Sequence, residues 1–102
     1  MIHHLVLLKI RRGVPKKEID TLFALLAGMK KFVPGLESFA GGPYSSSEGL
    51  NKGYTHGFAM TFDDATARDE YLVHPEHEKI KERVLAVLDG GIDGVVAFDF
   101  EG

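Results

Sequence analysis

The segment from Ile2 to Ile10 constrains this chain more than any other. Its composition is that of a strand, rich in Ile, Leu and Val. Successive side chains on a strand point to opposite faces, so His4, Val6, Leu8 and Ile10 share one face and Leu5 and Leu7 share the other. Both faces are apolar. A strand of this kind has to be covered on both sides. The fold therefore needs one layer over each face of the sheet that contains this strand.

The rest of the chain supplies one of those layers. Pro15 to Val33 reads as a helix, with Ile19, Leu22, Phe23, Leu26, Met29 and Phe32 or Val33 at three- and four-residue spacing. Pro34-Gly35 stops it. Leu36 to Ala40 is a short strand. Gly41 to Lys52 has loop composition, with three glycines among its residues and Ser45-Ser46-Ser47 at its centre. Tyr54 to Phe62 alternates: Tyr54, His56, Phe58, Met60 and Phe62 lie on one face, and Thr55, Gly57, Ala59 and Thr61 on the other. Asp63 or Asp64 caps a helix from Ala65 to Val73. His74-Pro75 breaks it, and Pro75 opens a second helix to about Leu88. The inward stripe of that helix is His77, Ile80, Val84 and Leu88, with Lys81 at the edge. Asp89-Gly90-Gly91 turns the chain into a last strand, Val95 to Phe100.

The order is β-α-β-β-α-α-β, an α+β arrangement close to the ferredoxin-like split β-α-β unit. It predicts a four-stranded antiparallel sheet with all helices on one face. The other face carries Leu5, Leu7 and part of the last strand. An exposed apolar sheet face calls for a partner. A second copy, sheet against sheet, satisfies it and follows the usual preference for twofold symmetry. A homodimer through the open sheet face is the expected assembly.

Bulk composition removes several function classes. The 102 residues fit one domain, 1–102. Twelve basic and fifteen acidic residues give a formal net charge of −3, and the pairs Lys16-Lys17 and Lys30-Lys31 are too small a basic footprint for nucleic acid. There are no cysteines, which excludes disulfides, thiolate metal sites and a thiol nucleophile. No segment approaches the roughly 18 apolar residues of a membrane span, and no secretory signal is evident. The expectation is a cytoplasmic protein with no nucleic-acid or membrane partner.

Histidine placement is the informative chemistry. His3 and His4 point to opposite faces and cannot chelate together. His74 and His77 are separated by Pro75, which breaks regular helix spacing, and there is no His-Glu-x-x-His pattern. No metal site and no cofactor are expected. His4, His56 and His77, however, each sit on the inward side of a different element, and Tyr71 lies on the helix between. Imidazole is the side chain best suited to proton transfer near neutral pH. The expected pocket lies between sheet and helices. Its polar groups are His4, His56, Tyr71 and His77, and its walls are Val6, Leu8, Phe23, Phe58 and Met60. A nucleophilic triad and a phosphate-binding glycine loop are both absent.

Several blocks together carry a family resemblance: His4-Leu5-Val6-Leu7-Leu8-Lys9, Val33-Pro34-Gly35, Gly53-Tyr54-Thr55-His56, Thr61-Phe62-Asp63, and Tyr71-Leu72-Val73-His74-Pro75-Glu76-His77. In this order they resemble the stress-responsive dimeric α/β-barrel (Dabb) family over nearly the whole chain, the Tyr-x-x-His-Pro-x-His block being the most specific. The resemblance implies a ferredoxin-like protomer and a dimer whose two sheets form a barrel. It also implies a range of roles. Many members have no assigned activity, some plant members are stress proteins that form larger rings, and others are antifungal. One plant member closes a linear polyketide by aldol condensation without metal or cofactor. Its key histidine and tyrosine fall on His77 and Tyr71, and two further pocket histidines on His4 and His56. The expected function is a small apolar, His-lined ligand pocket. The alternative is a cofactor-independent cyclase-like (aldol) enzyme, or a monooxygenase, using His77 as general base and Tyr71 as hydrogen-bond donor.

Overall fold

A computed structural model describes residues 1–102. The strands are β1 (Ile2–Leu8), β2 (Leu36–Pro43), β3 (His56–Phe62) and β4 (Val95–Glu101). The α-helices are α1 (Lys16–Ala27), α2 (Ala65–Val73) and α3 (Pro75–Val87). The sheet order is β2-β3-β1-β4, and every neighbouring pair is antiparallel. This is the ferredoxin-like arrangement.

Burial along β1 follows the alternation. Ile2, His4, Val6 and Leu8 are buried beneath the helices, whereas Leu5 and Leu7 are exposed on the far face. Phe58, Met60 and Phe62 of β3 join the covered face. Leu22, Leu26, Met29, Val33, Tyr71, Ile80 and Leu88 close over them. Ile10 leaves the strand and makes an isolated bridge with Leu88.

Several element boundaries differ from expectation: β1 ends at Leu8 rather than Ile10, and β3 starts at His56 rather than Tyr54. The first helix is regular only to Ala27 and then tightens into a 3-10 turn, Gly28–Lys31. Gly28 is a poor helix former, and the tighter turn still buries Met29 completely. Pro15 sits one position before the helix, at its N-cap, with extended backbone. The strand expected to end at Ala40 instead runs on to Pro43, because Gly41, Gly42 and Pro43 pair with Phe58, Gly57 and His56. Glycine is required at 41 by crowding. A Cβ there would lie 2.7 Å from Phe58 Cβ and 2.9 Å from Phe23 Cε2. Pro43 is tolerated because β2 is an edge strand.

The break between α2 and α3 sets the positions of Tyr71 and His77. Asp64, not Asp63, caps α2, its Oδ1 accepting from the Ala67 N–H at 2.9 Å. His74 ends α2 and caps α3, its Nδ1 accepting from the Glu76 N–H at 3.0 Å, with Pro75 in the first position of the new helix. Tyr71 thus falls in the last turn of α2 and His77 in the first turn of α3, on either side of a sharp bend.

On the uncovered sheet face, β1 and β4 present large apolar side chains. Leu5, Leu7, Val96, Phe98 and Phe100 are all exposed, Phe98 by 62%. His3 stacks on Phe100 with ring centroids 4.7 Å apart. The other half of that face is small. Ala40 pairs with Ala59 and Gly42 with Gly57. No helix is long and apolar enough to cross a membrane.

Candidate functional site

A cavity of about 310 Å³ lies between the β1–β4 half of the sheet and helices α2 and α3, and twelve of its fifteen lining residues are hydrophobic. That volume is at the lower end of the roughly 300–1,000 Å³ typical of small-molecule sites. His4, Val6, Leu8, Phe58, Tyr71 and His77 all line it. Leu26, Leu72, Val84, Leu85, Leu88, Val95 and Ala97 complete the apolar wall, and Lys81 and Ile92 stand at the exposed side.

Three residues expected in this lining are elsewhere. His56 is on the covered face of the sheet, but at the opposite end of β3, opposite Pro43. There α1 overlies it, with the Phe23 ring 6.1 Å from the imidazole. Its Nδ1 is 2.8 Å from Thr55 Oγ1, and His56 borders a different depression formed with Tyr44, Asn51 and Tyr54. Burial lowers its pKa. Phe23 packs on Phe39, His56 and Phe58. Met60 is fully buried in the core. The sheet face was readable from alternation, but the position along the strand decides which helix lies above.

Tyr71 and His77 form the centre of the site. Their rings are 4.3 Å apart. Tyr71 is 1% exposed, and burial, reinforced by the Asp99 charge, pushes its pKa upward. The phenol is therefore a proton-holding hydrogen-bond donor at neutral pH. His77 Nδ1 lies 3.2 Å from the Leu72 carbonyl. A carbonyl only accepts, so Nδ1 carries the hydrogen and Nε2 of the neutral ring carries the free lone pair. Burial lowers the pKa of His77, outweighing the Leu72 carbonyl and the Glu78 carboxylate, which raise it. The ring is accordingly neutral at pH 7 and able to accept a proton.

His4 has its own support. Its Nδ1–H donates to Asp99 Oδ1 at 2.6 Å, and Arg68 donates from Nη1 to Asp99 Oδ2 at 2.9 Å and from Nε to Asp69 at 2.7 Å. Burial alone would raise the Asp99 carboxyl. The hydrogen bonds and charges of Arg68 and His4 hold it below its ordinary value instead. This fixes the orientation of the His4 ring, with its Nδ1 side toward Asp99. The His4 ring lies 5.8 Å from Tyr71, so the three polar rings form one continuous group.

Sequence patterning names neither Asp99 nor Arg68 as part of the site. Asp99 did carry a signal. It is the only acid within Val95–Phe100, on the same parity as Val95 and Ala97, and it pairs directly across from His4. Arg68 carried none, being one charge among several on α2. No group of three His, Cys, Asp or Glu side chains is placed to hold a metal ion.

Comparison with known proteins accords with this architecture. A family model described as the stress responsive A/B barrel domain matches residues 2–102. A stress-response A/B barrel domain-containing protein of Arabidopsis thaliana is 30% identical over 100 residues, 98% of this chain and 88% of the relative. Olivetolic acid cyclase of Cannabis sativa is 22% identical over 76 residues, 74% of this chain and 75% of the enzyme. A crystal structure of a dimeric ferredoxin-like protein of unknown function from Jannaschia sp. CCS1 superposes with a TM-score of 0.90 at 34% identity, covering 99% of this chain and 98% of that one. By the match over residues 2–102, this chain belongs to the stress responsive A/B barrel domain family.

Proposed function

We propose that the cavity binds a small, largely apolar carbonyl compound and that His77 acts on it as general base. The observation that carries this reading is the Tyr71–His77 pair, rings 4.3 Å apart in an apolar cavity, with the histidine held neutral and in one tautomer by its surroundings. Nε2 of His77 takes a proton from the carbon next to the carbonyl. The electron pair moves onto the carbonyl oxygen, where the Tyr71 hydroxyl donates to the developing enolate. The imidazolium so formed is supported by the Leu72 carbonyl on Nδ1 and the Glu78 carboxylate 4.0 Å away. Similarity to a protein named as a cyclase supports carbon-acid chemistry of this type.

The test is deuterium incorporation at the α-carbons of 4-phenyl-2-butanone in deuterated buffer, followed by NMR. Exchange should be saturable and faster than in buffer. His77→Ala should slow it by about 10²–10⁴-fold, as expected for loss of a positioned base, and Tyr71→Phe by about 10²-fold, as for loss of one oxyanion donor. Exchange by His77→Ala at the rate of the unmodified protein would defeat the reading.

The assembly that completes the fold is a homodimer through the uncovered sheet face. The exposed stripe of Leu5, Leu7, Val96, Phe98 and Phe100 supports it, as does the similarity to a protein described as dimeric. In a twofold pairing, the bulky half of one face can seat on the small-residue half of the other. Sedimentation at micromolar concentration should give two chains, and a stable monomer would refute it.

A further inference from the structure

We infer that Lys81 makes the cavity selective for a ligand with an apolar body and a carboxylate at its exposed end. The inference rests on the cavity reading above and narrows its substrate to an apolar keto acid. His77, Lys81, Val84, Leu85 and Leu88 all line the cavity, so they occupy one face of α3 at helical spacing. Lys81 is the only lysine or arginine on that face, a cavity-lining residue that is also exposed to solvent. The other two cations of α3 have carboxylate partners. Lys79 pairs with Glu76 at 3.2 Å and Arg83 with Glu18 at 3.3 Å. No carboxylate lies within salt-bridge distance of Lys81, and none lines the cavity.

The charge is felt inside. Lys81 acts on His77 electrostatically, one helical turn away. Low-dielectric walls focus such a field on whatever enters. A single flexible ammonium suits one carboxylate, whereas a phosphate group usually draws on several donors. A carboxylate held at the mouth stays partly hydrated. It therefore avoids most of the desolvation cost that a buried charge would incur. The apolar body then fills the space toward Val6, Leu8 and Phe58, past the Tyr71–His77 pair.

The experiment compares octanoate with 1-octanol, which share an eight-carbon chain, by titration calorimetry and by shifts of the Leu72, Val84 and Leu85 amides in NMR spectra. The unmodified protein should bind octanoate at least about fivefold more tightly, the scale of a partly exposed ion pair. Lys81→Met should erase that preference and Lys81→Glu should reverse it. Raising salt from low to high should narrow it in the unmodified protein alone. Because Lys81 is exposed, both variants should fold normally. If both probes shift the cavity amides with equal affinity, or if Lys81→Met keeps the preference, the inference on Lys81 is overturned while the cavity reading stands. If neither probe shifts those amides, both fail. If His77→Ala keeps the octanoate preference but loses proton exchange, the roles of Lys81 and His77 are separated as stated.

Discussion

Asp99→Ala should be among the most damaging single substitutions available near the site, although Asp99 itself is not fully buried. The carboxylate accepts from His4 at 2.6 Å and from Arg68 at 2.9 Å. His4 is only 5% exposed, so removing the acceptor strands its Nδ1–H where water has little access. An unsatisfied buried donor of this kind costs about 1–3 kcal/mol. Arg68 is partly solvated and can turn to water, so it adds little. Asp99→Asn keeps one acceptor oxygen, which can face His4, but its amide NH2 cannot accept from Arg68, which turns to water; the cost is about 1 kcal/mol. For a chain of this size each kcal/mol lowers Tm by roughly 4–8 °C. Asp99→Ala should therefore melt about 10 °C below the unmodified protein, and Asp99→Asn about 5 °C below, at equal protein concentration. The sign with pH follows from the lowered carboxyl pKa. Its contribution is fully present above the unfolded value of 3.8 and is lost as pH falls through the lower folded value. The assay is thermal or urea unfolding of both variants at pH 7 and at pH 3. Equal costs for Ala and Asn, or a cost that does not shrink at pH 3, would refute the reasoning.

Further outcomes are expected. Gly41→Ala should destabilise by about 1–3 kcal/mol, because its Cβ would overlap Phe58 and Phe23; urea unfolding checks this. His74→Ala should cost about 1 kcal/mol through loss of the α3 cap, and should slow proton exchange by moving His77, read as a fall in rate larger than the fall in stability explains. Phe98→Asp should release monomer or unfold the chain in sedimentation, since Phe98 is the most exposed residue of the apolar stripe. His56 and His77 both have lowered pKa values. The unfolded chain therefore takes up protons first as pH falls below the ordinary 6.5, and stability should decline there. The proton-exchange rate should hold below pH 6.5 and fall only at the lower pKa of His77.

Faces were easier to read than stations along them. Period-two alternation placed His4, Val6, Leu8, His56, Phe58 and Met60 on one side of the sheet, and that is where they lie. The same pattern says nothing about which helix covers which end of a strand. His56 therefore sits under Phe23 of α1 rather than under α2 and α3. Composition alone ends β2 at Ala40, since Gly41-Gly42-Pro43 reads as loop, whereas pairing with β3 and the crowding at Gly41 make it strand. Asp99, a lone acid in an apolar strand, has no visible partner until register sets it opposite His4. Arg68 reaches that pair across 31 residues of sequence, a relation no local pattern contains.

The bend at His74-Pro75 has a mechanical consequence. Tyr71 ends one helix and His77 begins the next, so the distance between phenol and imidazole is set by the angle between two helices. The Leu72 carbonyl that holds His77 belongs to the first helix and the ring it holds to the second, so this contact ties the two across the bend. Substitutions at the bend should therefore shift the spacing of the two rings without altering either residue. On the proposed reading, such changes would show as altered proton exchange in a protein whose cavity lining is intact.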